Sequence, residues 1–170
     1  MLDASIHPEM AALYGLVATG GDLQPERLLN AYRGGSFPWY DEGMEVCWWS
    51  PDPRAIFDLE TFRPHRRWRR TYRSGQFQFT VNRDFAAVIQ GCAERPEEGT
   101  WITRDMRAAY IELHRLGFAH SVEAWQDGEL AGGIYGVSIG GLFAGESMFY
   151  RRNDASKVAL LHLIERLRKR

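Results

Sequence analysis

Three strand-like runs lie between residues 120 and 150, "HSVEAWQ", "ELAGGIYGVSI" and "LFAGESMFY", with only Asp127-Gly128 and Gly140-Gly141 between them. Both dipeptides suit two-residue hairpin turns, which need backbone at positive φ. Runs joined this tightly pair as antiparallel neighbours, because a parallel pair needs a crossover of a dozen residues or more. The segment that follows, "SKVALLHLIERLRKR", puts Leu160, Leu163, Ile164 and Leu167 on one helical face. A helix with such a stripe buries it against the sheet. Few other arrangements suit this stretch.

Upstream, "QFQFTVN" (76–82) alternates Phe77, Phe79 and Val81 and predicts a strand. Phe85, Val88, Ile89 and Cys92 follow at helical spacing. "ERPEEGTW" breaks that helix, and Thr103 caps a second one carrying Met106, Tyr110 and Leu113, closed by Gly117. The order strand, helix, helix, three strands, helix resembles the first part of the GCN5-related N-acyltransferase fold. In that fold the sheet continues with further strands, so an α+β domain with a mainly antiparallel sheet lacking its last strands is expected over residues 61–170. Residues 1–60 are expected to form a small N-terminal domain, with a helix over Pro25 to Arg33.

That N-terminal part holds the least regular stretch, "GGSFPWYDEGMEVCWWSPDPRA" (34–55), with Trp39, Trp48 and Trp49 among three glycines and three prolines. Such punctuation argues against a regular helix or a central strand. Trp belongs where a packed core or a binding surface uses its large face.

Net charge is −1, but 19 of the 21 basic residues are arginine, and Thr61 to Arg83 contains seven arginines and no acid. Within it, "FRPHRRWRRTYRSG" interleaves Trp68 and Tyr72 with Arg66, Arg67, Arg69, Arg70 and Arg73. A solvated basic face is the plain reading; the interleaved aromatics suit RNA phosphates and bases. Cys47 and Cys92 are too few for a disulfide framework. The N-terminus lacks the basic region of a leader, and no apolar run reaches membrane-spanning length, so a cytoplasmic protein is expected.

Among chemical motifs, "GVSIG" (136–140) matches a nucleophile elbow but leads into another strand, where a hairpin is the better reading. The five histidines have no metal-ligand spacing, and no metal site is expected. "RRNDASK", at the start of the last helix, has no glycine and carries Asp154, which disfavours a coenzyme A pyrophosphate site. Glu146 lies in an apolar strand beside Phe143, Met148 and Phe149. A carboxylate there either pairs with a structural cation or holds or deprotonates an amine. Trp101 either staples the following helix or serves a ligand.

The stretches "GGDLQPERLLNAYRGGSFPW", "CWWSPDPRA", "GCAERPEEGTWITRDM", "AYIELHRLGFAHSVEAW", "GGIYGVSIGGLFAGESMFY" and "NDASKVALLHL" together closely resemble the leucyl/phenylalanyl-tRNA–protein transferase family. The resemblance implies transfer of Leu or Phe, less often Met, from aminoacyl-tRNA to proteins with N-terminal Arg or Lys, marking them for degradation. It implies aminoacyl-tRNA as co-substrate and no cofactor, metal or membrane. Trp39 and Trp101 resemble the residues that contact the 3′-terminal adenosine. Ile134, Phe143 and Met148 resemble the lining of the aminoacyl pocket, with Tyr110 in the same region; Ile134 stands where many members have Met. Glu146 resembles the carboxylate near the reacting amine. The family's Asp-x-Gln strand would follow Arg170, so this stretch alone is expected to transfer poorly. Two alternatives stay open: an acyl-CoA-dependent N-acyltransferase, and a truncated, non-catalytic tRNA-binding module.

Overall fold

The computed structural model describes residues 14–94 and 100–169. Most of the stretch read for a leader, residues 1–13 with His7 among them, and the 95–99 part of the helix break lie outside the described residues. The chain divides into two compact units. The first gathers the described residues up to Ala55 with those from Ala93 to Leu113; the second gathers Ile56–Cys92 and His114 onward.

In the first unit a three-stranded antiparallel sheet has the order β1 (Leu16–Thr19), β3 (Cys47–Trp49), β2 (Phe37–Pro38). Helix α1 (Pro25–Arg33) starts on its proline and buries Leu28, Leu29 and Tyr32, as the spacing predicts. The tryptophan-rich stretch differs from the expectation, because Cys47–Trp49 is the central strand. The three residues themselves contain no glycine or proline, and Pro38 sits on an edge strand, where a missing N–H is tolerated. Adjacent strand residues point to opposite faces, so Trp48 and Trp49 bury one indole on each. Both ring N–H groups are satisfied within this unit, Trp48 donating to the Gly20 carbonyl at 2.9 Å and Trp49 to that of Trp39 at 2.7 Å.

The second unit is built on a four-stranded antiparallel sheet in the order β4 (Gln78–Val81), β5 (Ala119–Gln126), β6 (Glu129–Ile139), β7 (Leu142–Tyr150). Both expected hairpins form, and Asp127 and Gly128 both take positive φ, 53° and 81°. Helix α5 (Ala155–Leu167) lies on one face, where Val158, Ala159 and Leu163 join Phe77, Val122, Ala124 and Ile134 in one apolar cluster. On the other face, Val88 of α3 (Phe85–Ala93) comes so close to Gly133 that a Cβ there would stand 3.0 Å from it. The centre of β6 is therefore buried on both sides, and Gly132, Gly133 and Gly136 are the residues that let elements approach it.

Thr103 caps α4 (Arg104–Arg115) as expected, its hydroxyl accepting from the Met106 N–H at 3.2 Å. The basic stretch, read only as a patch, forms helix α2 (Arg66–Arg73), capped by the His65 side chain. Among the described residues no helix is long and apolar enough to cross a membrane.

Candidate functional site

Trp39, Trp101 and Tyr110 fall in the first unit. Trp39 is pinned by its backbone: its N–H donates to the Cys47 carbonyl at 2.9 Å, and its own carbonyl accepts the Trp49 ring N–H. Its ring stands edge-on to Trp49 with centroids 6.0 Å apart, yet stays 39% exposed. A fixed backbone carrying a partly open indole is what a stacking platform requires. Trp101 is half-buried just before α4, and its carbonyl accepts the Thr103 N–H at 3.0 Å. Tyr110 lies on α4. It is wholly buried, and its hydroxyl lies 2.6 Å from that of Tyr32. It holds α4 to α1 and offers no open face. Tyr40 is also buried, 3.4 Å from the Thr103 hydroxyl, and burial pushes its pKa up.

The pocket residues fall in the second unit, on β6 and β7. Ile134 and Met148 are direct cross-strand partners; Ile134 is buried against α5, and Met148 is 43% exposed. Phe143 packs on the same apolar cluster, and Gly136 leaves room for its ring. Between these positions the register slips: Tyr135 pairs with Ser147, but Gly136 pairs with Gly145. Glu146 is the extra residue of this β-bulge. A bulge bends the strand and re-aims a side chain, and bulges are over-represented beside active sites. Strict alternation would instead give Glu146 the face of Ala144 and Met148.

Beside the bulge stands Tyr135, a residue the sequence reading passed over. It is completely buried, with its ring edge-on to Phe85 at 5.7 Å. Burial first, then the Glu146 carboxylate and the Cys92 thiol, push the Tyr135 hydroxyl well above its ordinary pKa of 10.0. It therefore stays protonated near neutral pH, a dipole beside a half-buried carboxylate. The alternating run around it marks Tyr135 as strand; its pairing with Ser147 sets it at the bulge.

A cleft elsewhere in this unit is lined by Val122, Phe143, Leu163 and Leu167, with His120 and Arg166 as polar members. Of the candidate site residues it includes Phe143 alone. The Asn82 amide, oriented by the Ser121 N–H that donates to its oxygen at 3.0 Å, donates to Nδ1 of His120 at 2.9 Å. Among the described residues no three His, Cys, Asp or Glu side chains gather as a metal site would.

Arg66, Arg67, Arg69, Arg70 and Arg73 are all exposed on α2. They are not equivalent. Arg67 is engaged by Asp154 through two hydrogen bonds, Nε to Oδ2 at 2.8 Å and Nη2 to Oδ1 at 3.0 Å. Tyr72 faces inward, its hydroxyl 2.9 Å from Nδ1 of His162.

Residues 56–170 match the family described as leucyl/phenylalanyl-tRNA protein transferase, and residues 21–52 match the N-terminal domain of the same family. A leucyl/phenylalanyl-tRNA–protein transferase of Shewanella denitrificans is 50% identical over 163 residues, covering 96% of this chain and 70% of the relative. The corresponding protein of Stutzerimonas stutzeri is 53% identical, covering 98% of this chain and 76% of the relative. That of Methylococcus capsulatus is 57% identical over 148 residues, 86% of this chain and 63% of its own length.

Proposed function

Because the chain belongs to the leucyl/phenylalanyl-tRNA protein transferase family, a family of aminoacyltransferases, we propose that it moves Leu or Phe, less often Met, from aminoacyl-tRNA to the N-terminal Arg or Lys of acceptor proteins and so marks them for degradation in the cytoplasm. The observation that carries this reading is Glu146, lifted out of strand alternation by a bulge next to apolar Met148 and buried Tyr135. On this reading Ile134, Phe143 and Met148 receive the aminoacyl side chain, and the second unit works as a GCN5-related N-acyltransferase-like domain.

The reaction is aminolysis of an ester. The acceptor α-amine attacks the carbonyl carbon, the ribose oxygen leaves, the amine loses a proton and the leaving oxygen gains one. A free α-amine has a pKa of about 7.7–8.0, so a useful neutral fraction exists near pH 7. The protein must position it, take its proton and stabilise the oxyanion. Glu146 fills the first two roles. This step needs neither cofactor nor metal. An acyl-CoA donor fits less well, because Asp154 holds a carboxylate at the N-terminus of α5, where a pyrophosphate would need donors. Peptides differing only in their first residue test the acceptor: labelled Phe should pass from tRNA to Arg- and Lys-starting peptides. Equal labelling of an Ala-starting peptide would remove the acceptor assignment.

Trp39 and Trp101 are assigned to the terminal adenosine. Base–aromatic stacking contributes about 1–3 kcal/mol per base. Trp39→Ala and Trp101→Ala should each weaken binding of puromycin, an aminoacyl-nucleoside, by about five- to hundredfold, while unfolding stays cooperative. Loss of folding in both would return these residues to a structural role.

A further inference from the structure

We propose that Asp154 positions the arginine helix α2 for tRNA, and that Arg67 is its clamp and not a phosphate ligand; this rests on the tRNA reading of the other arginines. At about 100° per residue, Arg66, Arg69, Arg70 and Arg73 fall within about 100° of helix circumference. Arg67 lies beyond the edge of that stripe, and Trp68 and Tyr72 lie opposite it. The helix is thus split between a face for a partner and a face for its own protein.

The inward side is anchored twice, both times on α5. Near the start of α2, Arg67 grips Asp154, whose side chain is only 8% exposed. Near the end, the Tyr72 hydroxyl meets His162, whose ring stacks on Phe79 with centroids 4.8 Å apart. A two-point hydrogen bond fixes orientation as well as distance. Asp154 is also costly where it stands. It adopts the left-handed conformation, φ 67°, at the N-cap of α5, yet its side chain caps nothing in its own helix. An N-cap Asp ordinarily accepts from a first-turn N–H. Here the carboxylate is turned to Arg67 across 87 positions of sequence. The clamp explains a local arrangement that helix capping does not.

Arg67→Met, Asp154→Asn and their double variant test this, since Asn tolerates the left-handed backbone as Asp does. Phe-tRNA binding is measured against salt concentration, beside amide exchange over α2 and puromycin affinity. Each single variant should weaken tRNA binding about tenfold and speed exchange in α2. The double variant should be no worse than the weaker single one, and puromycin affinity should hold. The log–log salt slope should stay at the parental value, because no phosphate contact is lost. A slope reduced by about 0.7–0.9 in Arg67→Met, with Asp154→Asn binding as tightly as the parent, would make Arg67 a phosphate ligand and overturn the proposal. If Ala at all four stripe arginines left tRNA binding unaltered, the tRNA reading itself would fall. Faster α2 exchange in Asp154→Asn would then mark a purely structural clamp and overturn its part in recognition.

Discussion

Glu146→Gln is expected to slow transfer of Phe by a hundredfold or more while leaving puromycin affinity within about twofold. Glutamine keeps the shape and hydrogen-bonding reach of the side chain but removes its charge and its capacity to take a proton. General base catalysis contributes about 10²–10⁴-fold, so losing it is the largest effect a single isosteric change can have on the proposed site. Affinity for the aminoacyl-nucleoside should hold because its adenosine is assigned to Trp39 and Trp101 and not to Glu146. The bulge makes the comparison clean. Glu146 is the residue left out of the β6–β7 pairing, so changing its side chain leaves the ladder from Gly132–Tyr150 to Ile139–Leu142 in register. Single-turnover transfer from Phe-tRNA is the measurement. A Glu146→Gln rate equal to the parent would leave the carboxylate with a structural role only.

Replacing Arg66, Arg69, Arg70 and Arg73 together by Ala is expected to weaken tRNA binding on the order of a hundredfold near 0.2 M salt. The salt slope should fall by about three, since each lost phosphate contact removes about 0.7–0.9 from it. All four side chains are exposed, and Tyr72 and Arg67 hold the helix from other sides, so the fold should survive. Unchanged circular dichroism with a lowered slope is the expected pair of results. An unchanged slope would return the stripe to an ordinary solvated face.

How much of this was legible in the sequence depends on how local its cause is. The three strands of residues 119–150 are set by neighbours: Asp127-Gly128 and Gly140-Gly141 demand tight turns, and the runs between them pair. The helix at Pro25–Arg33 carries its own start and stop, and so it too could be read off directly. Cys47–Trp49 could not, because the glycines and prolines that flank three strand residues outweigh them in any window. Helix α2 lacks the apolar periodicity that marks a buried face, since it is held by the Tyr72 hydroxyl and an ion pair.

The site was legible in part and for the same reason. Glu146 stood out as a carboxylate in an apolar strand. Its bulge did not, because a bulge is a property of two paired strands and leaves no period in one of them. Tyr110 was read in the region of the pocket; its contact with Tyr32, between residues 78 positions apart, leaves no mark in either segment. The grouping of Ala93–Leu113 with the N-terminal residues is likewise a fact of contacts distant in sequence.

The proposed reaction turns on an aminoacyl-tRNA as the donor. Its most direct test is a single-turnover assay with protein in excess, so that slow transfer still registers, offering labelled Phe-tRNA and labelled acetyl-CoA side by side to one Arg-starting peptide. The expected result is Phe on the peptide's α-amine, at a rate that falls as salt is raised, no label on the same peptide when its N-terminus is blocked, and no acetyl transfer. Acetylated peptide, with the tRNA-borne Phe left in place, would contradict it.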